Sequence, residues 1–208
     1  MAQPFDRKAS VPPIGPVDSD AGQFWVNNPW EIVAHQKNLS AYERNRTYLN
    51  LGAGRFADIS FLTGTDSDGD GRSVIAADLD NDGMLDLVVR QAGGGPLLMF
   101  KNRMPRQHFL RVSLRGRESN GQGIGAKLTA EVIGRTIVRE MYPANTYASQ
   151  NPCEVYFGLG LATRVDRLTI RWPSGFTQEL CDVEADQHIL IEEGNSLPRL
   201  VAKADGGR

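Results

Sequence analysis

The stretch Asp78-Leu79-Asp80-Asn81-Asp82-Gly83-Met84-Leu85-Asp86 sets four carboxylates in nine residues, with a glycine after the third. Hard oxygen ligands at alternate positions are calcium chemistry, since the ion takes about six to eight oxygens at ~2.3–2.6 Å. Asp78, Asp80 and Asp82 occupy positions 1, 3 and 5 of a tight loop, so their side chains can converge on one point. Gly83 permits the sharp turn that a β-carbon resists. The Met84 carbonyl is the expected backbone ligand, and Asp86, at position 9, closes the shell. Two carboxylates ~4 Å apart repel by ~4 kcal/mol at an effective dielectric of ~20. A cation therefore holds the loop shut, or the loop splays. The plain alternative is a metal-free acidic hairpin turn, because Asp, Asn and Gly also favour turns. Turn chemistry does not call for four aspartates. An EF-hand fails twice: its bidentate Glu belongs at position 12, here Val89, and its flanks should be helices.

A second acidic stretch lies upstream. Asp66, Asp68 and Asp70 repeat the 1-3-5 spacing, but position 9 is Val74, which has no side-chain oxygen. This is a half-site, open either to a weaker second metal or to neutralisation by Arg72. Residues 66–86 carry seven Asp against one Arg, while 101–117 carry Lys101, Arg103, Arg106, Arg111, Arg115 and Arg117 and no acid. Complementary packing of the two stretches is the first reading, and a basic patch for an acidic polymer the second.

The flanks that position the loop read as strands. Residues 73–77 and 85–89 are short, apolar and largely β-branched or aliphatic. Residues 47–102 then form one β-unit: strands at 47–51 and 55–59 about a Gly52-Ala53-Gly54 turn, the two strands around the acidic loop, and 97–102 after Gly93-Gly94-Gly95-Pro96. Residues 106–193 are a second β-region, with alternating runs at 108–115, 127–132, 136–141 and 165–172, a Pro173-Ser174-Gly175 turn, a return at 176–180 and a last strand at 188–192. Ahead of both, 1–22 are an extended lead-in, and 23–47 hold a short helical pattern begun by Pro29. The expected domains are 1–46 lead-in, 47–104 β-unit with the calcium loop, 105–193 second β-domain and 194–208 polar tail. The fold class is mainly β: a propeller-blade-like antiparallel sheet packed on a β-sandwich or barrel-like domain, with a short N-terminal helix.

Composition is that of a folded chain, with 40% apolar and 23% charged residues. A net charge of −2 gives no global attraction to nucleic acid or membrane, and no apolar run reaches a membrane span. The N-terminus as given lacks the apolar core of a signal peptide. Cys153 and Cys181 do not make a disulfide framework; whether they pair is open, with burial as small apolar residues the favoured state. His35, His108 and His188 lack metal-ligand spacing and read as structural, and no Gly-x-Ser-x-Gly elbow occurs. Gly121-Gln122-Gly123-Ile124-Gly125 reads as a turn.

The 78–86 loop with Asn50-Leu51-Gly52-Ala53-Gly54-Arg55-Phe56 resembles one blade of an FG-GAP or VCBS-type repeat. A propeller needs several blades, and one clear copy is present. The second region resembles the ASPIC/UnbV domain of cartilage acidic protein-type chains, through Leu114-Arg115-Gly116 with Ser119-Asn120, Ile124-Gly125-Ala126-Lys127, Arg139-Glu140, Tyr147-Ala148-Ser149-Gln150, Phe157-Gly158-Leu159-Gly160 and Trp172-Pro173-Ser174-Gly175. The resemblance implies a calcium-dependent β-protein, exported or extracellular. It also places Asn120, Arg139, Glu140, Tyr147, Ser149, Gln150 and Trp172 in motif positions that could line a ligand pocket. The first functional expectation is a calcium-binding module for binding, adhesion or scaffolding. Its partner is left open among protein, glycan and small molecule, as is homo-oligomerisation. The alternative is a calcium-dependent tailoring or cyclising enzyme of bacterial secondary metabolism, with its pocket between the two β-units.

Overall fold

The computed structural model describes residues 44–69, 71–91, 96–144, 146 and 149–203. The helix expected over 23–47 falls almost wholly outside the described residues, and its last residues, 44–47, are not helical. Contacts divide the chain into two units: residues 1–74 with 89–100, and residues 75–88 with 101–208.

In the first unit, β1 (Tyr48–Gly52) and β2 (Arg55–Asp58) form an antiparallel hairpin. Its Gly52-Ala53-Gly54 turn has positive φ at all three residues, which is why glycine flanks the bend. A one-turn helix α1 (Ser60–Thr63) follows. Polar bonds knit these pieces together. The Thr47 N–H donates to Ser60 Oγ (2.8 Å), Ser60 Oγ donates to Asp58 Oδ1 (2.5 Å), and the Thr47 and Thr65 hydroxyls meet at 2.7 Å. Tyr48, Leu51, Phe56, Phe61 and Leu62 are exposed.

β3 (Gly71–Ala77), β4 (Asp86–Gln91) and β5 (Leu98–Phe100) form a three-stranded sheet. The acidic loop therefore runs strand to strand, as its apolar flanks predict.

The second unit carries two four-stranded sheets. One orders β11 (Thr177–Glu184), β10 (Arg164–Arg171), β7 (Lys127–Val132) and β8 (Arg135–Glu140), all antiparallel. The other orders β13 (Arg199–Lys203), β12 (Gln187–Glu192), β6 (His108–Arg115) and β9 (Val155–Gly160), with β12 and β6 parallel. Alternate residues of both sheets meet in one core: Leu110, Val112 and Leu114 from β6, Phe157 from β9, Leu128 from β7, Leu168 and Ile170 from β10. The arrangement is a sandwich, and it does not close into a barrel. At the β7–β8 turn, Ile133 and Gly134 both take positive φ, the twist that a two-residue hairpin needs.

Three expectations change. The stretch expected to be a polar tail supplies β13, paired antiparallel with β12. β9 forms over a stretch that shows only as a motif in the sequence, because Gly158 and Gly160 interrupt its alternation. Cys153 and Cys181 are both unpaired, and Cys181 is exposed rather than buried, since the pleat of β11 turns its neighbour Leu180 inward.

Candidate metal centre

The loop folds through its own side chains. Gly83 sits at φ +86°, where a β-carbon would also run into the Phe109 ring. The Gly83 N–H donates to Asp78 Oδ2 (3.1 Å) and the Met84 N–H to Asp82 Oδ1 (2.8 Å). Asn81 takes the left-handed conformation that asparagine tolerates. The outcome is convergence: one oxygen each from Asp78, Asp80 and Asp82 lie within 4.8 Å of one another, a group that could hold a metal ion.

β6 seats this loop. Its inward row is Leu110, Val112 and Leu114; its outward row is Phe109, Arg111 and Ser113, and Phe109 and Arg111 are buried all the same. Arg111 Nη1 lies 3.3 Å from Asp78 Oδ2, its Nη2 donates to Asn81 Oδ1 (3.1 Å), and its Nε lies 3.6 Å from Glu154 Oε2. Cross-strand register puts His188 and Tyr156 on either side of Arg111. Tyr156 stacks on Phe109 with ring centroids 5.5 Å apart and donates its hydroxyl to the Gly83 carbonyl. Burial, reinforced by Asp78, Asp186 and Asp82, pushes the Tyr156 phenol up to about 12, so it remains a donor. Burial raises the Glu154 carboxyl; Arg111 opposes and Asp78 adds to that rise. Burial and then the Arg111 charge push His188 down to about 4, and its neutral ring lies 2.7 Å from Ser113 Oγ.

Ser113, His188 and Glu154 are not a nucleophilic triad. Hydroxyl and carboxylate both approach the same nitrogen, Nε2, whereas a relay needs one partner on each ring nitrogen.

Asp78 marks the floor of the centre. Its side chain is 2% exposed, yet Oδ1 is buried without a hydrogen-bond donor. A buried acceptor left unmade is costly, so a donor or a cation at that oxygen would be stabilising. Asp80 and Asp82 face solvent, where Lys101 pairs with both. Asp86, the first residue of β4, is buried, and its Oδ1 accepts the Asn102 N–H (2.7 Å). It stands outside the converging trio.

Residues 31–89 match the FG-GAP-like repeat, and residues 116–198 match the ASPIC and UnbV family. The chain is an FG-GAP-like repeat followed by an ASPIC/UnbV domain. No curated protein matches it. The acidic loop lies within the FG-GAP-like match, yet by contacts it belongs with residues 101–208.

Among the described residues, those that the ASPIC/UnbV motifs single out do not all line one cavity. Trp172 is a core side chain whose Nε1 donates to Gln178 Oε1 (3.2 Å). Its place on the inward row with Leu168 and Ile170 explains the burial. Asn120 closes its own turn, accepting the Ile124 N–H (2.8 Å) and donating to the Ile124 carbonyl (2.7 Å). Ser149 Oγ meets Thr146 Oγ1 at 2.5 Å, and Gln150 Nε2 lies 3.9 Å from Cys153 Sγ. Tyr147 is outside the described residues. Arg139 and Glu140 do share a cavity of about 180 Å³, with Tyr142, Asn151, Glu154 and Tyr156.

What the ASPIC/UnbV motifs build instead is a knot on Glu193. Its buried carboxylate accepts the N–H groups of Arg117, Glu118 and Ser119 (2.8, 3.0 and 2.9 Å) and the hydroxyls of Ser119 (2.9 Å) and Ser174 (2.5 Å). Burial works against its charge, but the Ser174 hydroxyl and the donors on Ser119 and Arg117 outweigh it and hold the carboxyl down to about 2. Sequence reading missed Glu193, Arg111 and Glu154. The available signal for Arg111 was the outward row of β6.

At the upstream half-site, Asp70 is outside the described residues. Asp66 is paired with Arg44 at 2.9 Å.

Proposed function

We propose that this β-rich chain is a calcium-dependent binding module, with the 78–86 loop as its ion site. The observation that carries this reading is the convergence of Asp78, Asp80 and Asp82, together with a buried Asp78 oxygen that lacks a donor. The donor set is all oxygen, which suits calcium over softer metals. Asp78, Asp80 and Asp82 would hold the ion, with the Met84 carbonyl as the backbone ligand, while Asp86 stays with the Asn102 N–H. The bound ion supplies the positive charge that keeps the carboxylates together. This chain's own residues do the rest. Arg111 and Tyr156 anchor the buried side of the loop, and Gly83 makes the bend. The solvent-facing aspartates then become fixed relative to the sandwich.

Contact with a protein, glycan or small-molecule partner, outside the cell in this reading, is favoured by the exposed Tyr48, Leu51, Phe56 and Phe61. The cavity beside Arg139 and Glu140, at about 180 Å³, is below the ~300–1,000 Å³ usual for small-molecule sites.

Calorimetric titration of the full chain with calcium tests the site. Saturable heat at about one ion per chain is expected from the wild type and none from Asp82→Ala. Equal heats from the two proteins would refute the assignment.

A further inference from the structure

Lys101 follows β5 directly, and its ammonium sits on the open side of the acidic loop. Nζ pairs with Asp80 Oδ2 and lies 3.2 Å from Asp82 Oδ2. Those are two of the three carboxylates that converge, and the third, Asp78, already has Arg111 on its buried side. We infer that Lys101 is a built-in counter-cation that occupies the mouth of the site in the metal-free protein and is displaced when a divalent ion enters. The inference rests on the calcium reading above.

The geometry makes the two cations exclusive. An ion bound by Asp80 and Asp82 at ~2.3–2.6 Å needs the space that an ammonium at hydrogen-bond distance from both oxygens takes. Charge says the same, because a divalent ion and an ammonium ~4 Å apart repel strongly even at an effective dielectric of ~20. The Lys101 side chain is 46% exposed, so once its ion pairs break it can swing into solvent. Arg111 differs. It is buried, held also by Asn81 and Glu154, and cannot leave. The loop therefore carries one fixed cation beneath it and one removable cation at its mouth.

Two consequences have opposite signs. Without metal, Lys101 relieves the repulsion between Asp80 and Asp82, so the loop keeps its shape. With metal, that pairing must first break, which weakens apparent affinity. A residue of purely structural role would produce only the first.

The test uses the full chain and Lys101→Met, which keeps length and removes charge. Calcium alone is titrated calorimetrically into both. Melting is followed in chelator, and the side-chain ammonium resonance of Lys101 is followed by NMR through the wild-type titration. The expected result is binding about three- to tenfold tighter in Lys101→Met, the worth of one or two exposed ion pairs. The same variant should melt lower in chelator, and the wild-type resonance should move as the site fills. Equal affinity in the two proteins, or a resonance unmoved at saturation, would overturn the role of Lys101 while leaving the calcium site intact. Calcium taken up by neither protein would remove the metal reading and this inference with it.

Discussion

Residues 75–88 and 101–208 bury a continuous apolar cluster, from Leu110 to Ile191. Among the described residues of the other unit, the buried side chains are Ser60, Thr65, Ser73 and Gln91, all polar. One region is a sandwich with its own hydrophobic core; the other is a hairpin, a helical turn and strand segments joined by hydroxyls and carboxylates. The acidic loop goes with the first. An ion site grouped with a packed core has a rigid frame to work against, and the outward row of β6 is that frame. In the proposed reading, calcium would act on a body that its apolar core already holds folded.

The largest effect that can break this contrast is a core deletion. Phe157→Ala, at a side chain with no exposure, should cost ~3–5 kcal/mol in denaturant unfolding. A loss under ~1 kcal/mol would mean that the sandwich is not the stabilising body.

Next comes the frame beneath the loop. Arg111→Met strands the Asp78 carboxylate in the interior, which should cost ~3 kcal/mol. Calcium should recover part of that loss by giving the carboxylate another cation. The same loss with calcium and with chelator would separate Arg111 from the ion site.

Proton linkage gives smaller steps. Unfolded, His188 takes a proton near ~6.5; folded, it does so only at about 4. Between those values the unfolded state binds more protons, so melting temperature should fall as pH drops from ~6.5 to ~4. His188→Gln should flatten that limb. Glu193, held down to about 2, is stabilising above its unfolded value of ~4.3, and its contribution should vanish as pH falls from there toward 2. A flat melting profile across both windows would contradict the burial of these groups.

The smallest effect sharpens the other side of the contrast. Phe61→Ala, at a residue 85% exposed, should change stability by no more than ~0.5 kcal/mol. A core-sized loss there would show that the first unit buries its apolar face in solution.

The strands were readable where alternation was clean. β6 and β7 fall on the residues that their periodicity predicts, 108–115 and 127–132. The strand–loop–strand setting of the acidic loop was readable too, because β-branched flanks and an Asp-rich turn differ so sharply. β13 was hidden by its short, polar context. Trp172 could have been recognised as core, since it continues the inward row of Leu168 and Ile170; motif membership drew it into a pocket instead. Glu193 left no local signal, as its partners are backbone N–H groups and hydroxyls about 20 to 75 residues away. Arg111 stood out as one of a run of basic residues, and only the pleat of β6 separates it from its exposed neighbours.

Thermal unfolding of the full chain in millimolar calcium and in chelator tests the central claim most directly, with Asp80→Ala beside the wild type. A ligand that binds only the native state adds stability by mass action. Calcium should therefore raise the wild-type melting temperature by several degrees and leave Asp80→Ala unmoved. Superimposable wild-type curves in the two solutions would contradict the account.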